Sequence, residues 1–352
     1  MMYRKISLAL LCMVLILAAG CSKNPQALSV DRGEEPSIPQ TTVIADSEFA
    51  VNPLTGVEDL TKGKEWNRPV AVTVNNISVA QSVQTGLGKA DIVYETEVEG
   101  GITRLVAVYQ DISKVEKIGT VRSARYAFID LAMGHNAIYV HHGQDTTHAG
   151  PHLKDVDHFI LDVNKGGARL SNGLSSEHTL YAYGDSLWKE LINEGYDLQN
   201  DDTTPWQQFA DDDNPVSFET SADEVSVSFS GSYKTTMKYD SSSGKYVRMF
   251  NGSQCKDYVT GEPMYFKNVF VLNTTIRTYP NCNDGKNHRE VMLNSGSGYY
   301  FVNGTYTPIK WEKGAAGNSF SFTTDDGTTL TVNPGNSWVC IADQNRSKPV
   351  IS

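Results

Sequence analysis

The chain has 352 residues, 39% of them hydrophobic and 20% charged, and a formal net charge of −11. The apolar content excludes a disordered chain, and the acidic balance argues against nucleic-acid binding, which needs a surplus of Lys and Arg. Only one apolar run approaches membrane length, which excludes a polytopic membrane protein, and the length suggests two domains.

Arg4 and Lys5 precede an apolar stretch from Ile6 to Ala19, broken only by Ser7. A basic start, a short apolar run and small residues read as a secretory signal. Cys21 follows Ala18-Ala19-Gly20, which looks like a bacterial lipobox, so residues 1–20 are expected to be removed and Cys21 lipidated. Two acyl chains would anchor the protein on the extracytoplasmic face of the cell membrane. Residues 21–48 contain Pro25, Pro36 and Pro39 among Gly, Ser, Asp and Glu, and read as a disordered tether.

Arg68 to Asn76 reads as a short buried strand. Two β-rich runs, Ala90 to Glu99 and Ile102 to Tyr109, flank Gly100-Gly101. Gly-Gly between such runs signals a tight hairpin, because a primed turn needs two positive φ angles. A two-residue turn would set Glu97 opposite Arg104 and leave Glu95, Glu97 and Glu99 on one face. The alternative is a solvated outer face with a cross-strand ion pair.

Residues 120–134 read as a helix with Thr120 or Ser123 at its start and Gly134 at its stop. Arg122 and Arg125 would then lie in the first turn, where the helix dipole already favours anions. Guanidinium groups beside free backbone N–H groups suit an anionic guest. The alternative is pairing with Glu95, Glu97 or Glu99. Ala137 to His142 reads as a strand. Seven of the eight histidines lie between His135 and His178. His141 and His142 would point to opposite faces, and no His-Glu-x-x-His occurs, so neither a metal nor another cofactor is expected.

Asp201-Asp202 and Asp211-Asp212-Asp213 flank Trp206 and mark the expected domain boundary. Residues 21–215 carry 15 basic against 29 acidic residues, and residues 216–352 carry 13 against 12. The second part holds seven short β-rich runs: Val225 to Phe229, Thr235 to Tyr239, Tyr246 to Phe250, Val269 to Leu272, Tyr299 to Val302, Phe320 to Thr324 and Thr328 to Val332. They suggest a small barrel or sandwich. Trp311 and Trp338 suit core positions. The expected fold is therefore an α+β (mixed α/β) N-terminal domain, residues 49–215, plus a β-rich C-terminal domain, residues 216–352. Cys255, Cys282 and Cys340 cannot all pair with one another.

Several motifs in register resemble the YerB-like lipoproteins of Gram-positive bacteria. They are Asn52-Pro53-Leu54-Thr55-Gly56, Arg68-Pro69-Val70-Ala71-Val72 with Asn75-Asn76, Ala90-Asp91-Ile92-Val93-Tyr94-Glu95, Glu99-Gly100-Gly101-Ile102-Thr103-Arg104 and Val121-Arg122-Ser123-Ala124-Arg125. His178-Thr179-Leu180-Tyr181 resembles a further stretch, with Glu177 and Thr179 as departures. Lys267-Asn268-Val269 and Asn333-Pro334-Gly335-Asn336-Ser337-Trp338 fit the family's second module. The resemblance implies a membrane-anchored, two-domain envelope protein and supplies no reaction.

The leading functional expectation is a site for an anionic cell-wall ligand or an envelope partner protein. Arg104, Arg122 and Arg125 would bind it, with Glu95, Glu99, His141 and His178 lining the cleft. Guanidinium chemistry suits carboxylate or phosphate groups, as in peptidoglycan peptide or teichoic acid. The rival expectation is a cell-wall hydrolase using Glu95 or Glu99 with His178. The sequence identifies no nucleophile, so catalysis is left open. A third reading makes the arginines and glutamates a buried ion-pair lattice.

Overall fold

Three apolar runs of the first half become strands β1 (Val70–Asn75), β2 (Ile92–Glu97) and β3 (Thr103–Tyr109), each buried along its length. A strand covered on both faces has no reason to alternate polar with apolar residues, which explains the unbroken Val70-Ala71-Val72. These strands belong to a computed structural model that describes residues 48–282 and 284–352. The expected signal segment, Cys21 and the tether up to residue 47 lie outside the described residues. Among the described residues, no helix is long and apolar enough to cross a membrane.

Helix α1 (Tyr126–Met133), strands β4 (Ile138–His141) and β5 (His158–Ile160), and helix α2 (Gly184–Asn193) complete the main elements of the first half. The second half is rich in strands, as its Gly- and Asn-separated apolar runs indicate. They include β6 (Glu224–Ser230), β7 (Tyr233–Asp240), β8 (Lys245–Phe250), β9 (Asn268–Thr274), β10 (Ser295–Val302), β11 (Thr305–Glu312) and β12 (Ser337–Asp343). Asn303 and Gly304 take φ of 52° and 70°, giving the tight turn that joins β10 to β11.

An eleven-stranded sheet contains strands from both halves, in the order β11-β10-β9-β12-β2-β3-β1-β4-β5. The halves join where β12 runs parallel to β2, with Ser337 opposite Ile92 and Ile341 opposite Thr96. Backbone hydrogen bonds therefore cross the boundary expected near residue 215. The described residues fall within one compact unit. The second half does not close into a barrel of its own: β9 to β12 extend the first half's sheet, while β6, β7 and β8 belong to a separate six-stranded sheet.

Each face of the large sheet has its own core. On one face Val72, Val93, Leu105, Trp338 and Cys340 pack with Val227, Met237 and Phe250 of the second sheet and with Leu187 and Leu191 of α2. On the other, Tyr94, Val106, Tyr139, Phe270 and Ile341 pack with Phe128 and Leu131 of α1 and with Trp206, Phe320 and Phe322. Trp311 and Trp338 are buried, as expected of core anchors.

The β2–β3 hairpin departs from the two-residue turn. Val98 N–H donates to Ile102 O, and Glu99-Gly100-Gly101 form the loop. Both glycines have positive φ, 74° and 71°. The loop is one residue longer, so the register slips by one: Glu97 faces Thr103, and Arg104 faces Thr96. A slip of one residue moves a side chain to the other face of the sheet. Glu97 therefore does not pair with Arg104.

Candidate functional site

Residues Thr120 to Arg125 run extended beside the end of β1. Asn75 N–H donates to Thr120 O at 2.8 Å, Arg122 N–H to Thr73 O at 3.0 Å, and Ala124 N–H to Gly143 O at 2.9 Å. Helix α1 starts only at Tyr126, with Arg125 as its cap in extended geometry at φ −134°. Arg122 therefore lies outside the helix, and the two arginines do not share a first helical turn. The β-sheet hydrogen bonds available from β1 take this segment away from the helix.

The longer hairpin loop places Glu99 against two guanidinium groups. Arg125 donates from Nε to Glu99 Oε2 at 2.8 Å and from Nη2 to Oε1. Arg104 Nη2 lies 3.4 Å from Glu99 Oε1, and its Nη1 donates to Ser123 O at 3.0 Å. Burial alone would raise the Glu99 pKa, but the Arg125 hydrogen bonds and the Arg104 and Arg125 charges outweigh it and hold it down at about 2. Arg104 and Arg125 are both buried, and one carboxylate serves the two cations. Arg104 Nε has no hydrogen-bond partner among the described residues.

Arg122 sits at the rim of this group. Its Nη1 donates to Glu177 O at 2.7 Å and lies 3.4 Å from the Glu177 carboxylate, whose side chain is 60% exposed. Arg122 Nε is buried without a partner among the described residues. Arg169 Nη2 lies 3.1 Å from His142 Nε2, and the His142 backbone N–H donates to Arg122 O. His178 Nδ1 lies 2.9 Å from Asn75 Nδ2 and its Nε2 lies 3.4 Å from Glu177. Burial lowers the His178 pKa. Sequence reading missed Arg169 and His142, whose separation along the chain gave no spacing signal.

The other expected site residues lie elsewhere. Glu95 is fully buried in the core that contains Val93 and Trp338, opposite to Arg104. Its Oε1 accepts from Asn76 Nδ2 at 2.8 Å, Thr103 Oγ1 at 2.8 Å and Thr235 Oγ1 at 3.0 Å. Burial raises its pKa against the opposing charge of Arg248. Arg248 is also fully buried, donating to Gln84 Oε1 at 2.9 Å and Asn76 Oδ1 at 2.7 Å, with Trp338 stacked at 4.7 Å. Glu97 pairs instead with Arg289 and Arg346. His141 is buried, its Nδ1 on Gly143 O and its Nε2 3.1 Å from His158 Nδ1. His178 makes these contacts with Asn75 and Glu177, so neither Glu95 nor Glu99 is joined to it as an acid–base pair would require.

A second constellation adjoins Glu99. Asp145, Asp284 and His288 converge with ligand atoms within 4.8 Å of one another. His288 is the one histidine outside the cluster between His135 and His178. Cys255, Cys282 and Cys340 are free thiols.

This chain is a strand-rich unit in which two sequence modules share one sheet. The chain belongs to the family described as "Protein of unknown function (DUF3048)", matching its N-terminal domain over residues 54–197 and its C-terminal domain over residues 225–339. It is 31% identical over 313 residues to "Putative lipoprotein YerB" of Bacillus subtilis (strain 168), covering 82% of this chain and 85% of that one. The crystal structure of the YerB protein from Bacillus subtilis matches with a TM-score of 0.73 at 29% identity, over 85% of this chain and 98% of that chain. The resemblance to the YerB-like lipoproteins is thereby shown.

Proposed function

We propose that the protein is a lipid-anchored extracytoplasmic lipoprotein whose arginine group binds an anionic ligand of the cell envelope. The kinship with a Bacillus subtilis protein named as a lipoprotein supports the anchoring, together with the Gly20-Cys21 motif. One observation carries the binding: Arg104 and Arg122 each hold a buried Nε donor without a partner among the described residues, and Arg104 and Arg125 share a single carboxylate. Buried donors ordinarily find acceptors. An anion with carboxylate or phosphate oxygens supplies them and offsets the surplus cation. Arg169 and His142 extend the basic surface beside Arg122.

The ligand class is peptidoglycan peptide or teichoic acid. The test is co-sedimentation of the purified protein with isolated cell wall, with and without its teichoic acid. Wild-type protein should sediment and Arg122→Ala should stay in solution, with unchanged circular dichroism. Equal sedimentation of the two would end the reading. Cells fed a labelled fatty acid should label the wild-type protein and not Cys21→Ser, and an unlabelled wild-type protein would remove the anchor.

A further inference from the structure

The chain between residues 279 and 290 carries Asp284 and His288 up to Asp145, which lies in the turn after β4. His288 is 2% exposed and Asp145 3% exposed. His288 Nε2 lies 2.7 Å from Asp284 Oδ2 and 3.5 Å from Asp145 Oδ1. Its Nδ1 has no hydrogen-bond partner among the described residues and stands 3.5 Å from Glu99 Oε2.

This arrangement leaves an uncharged imidazole with a conflict. It has one N–H and one lone pair. If Nε2 carries the proton, the Nδ1 lone pair faces Glu99. If Nδ1 carries it, the Nε2 lone pair faces two aspartates. A cation bound by Nε2 and the aspartate oxygens removes both conflicts at once. Nδ1 then carries the proton and donates it to Glu99, which Arg125 holds in place. A carboxylate behind the metal-bound imidazole is the usual way such a ring is oriented.

The surroundings fit that reading. Asp145 Oδ1 and Oδ2 accept backbone N–H groups of Thr147, His148 and Ala149, the His148 N–H being shared between the two oxygens, which fixes the carboxylate's direction. Nearby, Cys282 Sγ lies 3.9 Å from His148 Nε2 and the His148 and His288 rings are 6.4 Å apart, but the converging ligand atoms are those of Asp145, Asp284 and His288. Two aspartates carry the charge that a divalent ion neutralises. One imidazole nitrogen with two carboxylates suits zinc better than the oxygen-seeking magnesium or calcium.

We infer that Asp145, Asp284 and His288 form a binding site for a divalent transition metal, with zinc the best match. The metal ligands are residues other than Arg122, and Glu99, which also pairs with Arg104 and Arg125, is the residue the two sites share; zinc titration and cell-wall binding are read separately. The mature protein, stripped with chelator, is titrated with Zn²⁺ by calorimetry and with Co²⁺ by visible absorption. One equivalent of Zn²⁺ should bind, and Co²⁺ should give the intense bands of a tetrahedral site. Asp284→Asn and His288→Gln should each weaken Zn²⁺ binding about 10–100-fold. Asp284 is exposed, so its variant keeps the fold and the comparison does not depend on His288→Gln. Absence of stoichiometric zinc, or equal affinity in wild type and Asp284→Asn, would overturn the inference. So would imidazole nitrogen NMR showing His288 protonated on both nitrogens in excess Zn²⁺, because the ring would then be its own cation.

Discussion

Replacing Arg248 with Met probes how the two halves are held together. Arg248 comes from β8 and is wholly buried, yet it reaches Gln84 and Asn76 of the first half and stands as the charge that opposes Glu95. Its two charge-assisted hydrogen bonds contribute ~1.5–3 kcal/mol each. The stack on Trp338 at 4.7 Å adds ~2 kcal/mol in a dry site. Stranding Glu95 as a buried charge costs ~3–5 kcal/mol. These effects overlap, so the expected loss is about 4–6 kcal/mol, a large part of the stability of an ordinary domain. Scanning calorimetry should show a fall in Tm of roughly 10 °C. Removing the stranded charge should recover part of it: Glu95→Gln combined with Arg248→Met should be more stable than the sum of the single losses by about 1–3 kcal/mol. A single variant within 2 °C of wild type, or strict additivity in the double, would refute the interlock.

Acid should destabilise the fold below pH 6.5. Burial lowers the pKa of His135 to about 3 and of His141 to about 4. The unfolded chain takes up these protons first, so each residue removes ~1.4 kcal/mol per pH unit as pH falls from 6.5 towards its folded value. Asp91, raised by burial to about 7, opposes them, because its folded form binds the proton more tightly between the unfolded value and 7. Melting curves against pH should slope downward on acidification, and His141→Gln should flatten them; an unchanged slope would contradict the assignment. Gly184→Ala should cost more than ~3 kcal/mol, since a Cβ there would lie 2.0 Å from Ile112 O and 2.4 Å from Val115 O. Gly231→Ala, with open space around it, should change stability by under ~0.5 kcal/mol. Urea denaturation distinguishes the two, and equal costs would contradict the packing described.

The strands of the first half were legible because continuous apolar runs and Gly-Gly punctuation are local signals. What the sequence could not resolve was a single residue of loop length. Gly100-Gly101 fits a two-residue turn, but Glu99 joins the loop, and that slip separates Arg104 from Glu97 and from Glu95. The arginine group was legible in composition, since Arg104, Arg122 and Arg125 stand in motifs, but not in geometry. The segment before α1 follows β1 instead of entering the helix. Strand β11 was hidden by Pro308, which is tolerated there at an exposed position. Strand β12 was hidden because it pairs with β2, some 245 residues away. Such pairing leaves no periodic trace. For the same reason His288 stood apart from the other histidines, and its meeting with Asp145 came only from the fold.

The most direct test of the anion-binding account is a calorimetric titration of a defined muropeptide and of purified teichoic acid into wild-type protein and Arg122→Ala. The account predicts saturable heat with one of the two polymers in wild type, weakened by added salt and lost in the variant. The same heat from both proteins, or none from either polymer, would contradict it.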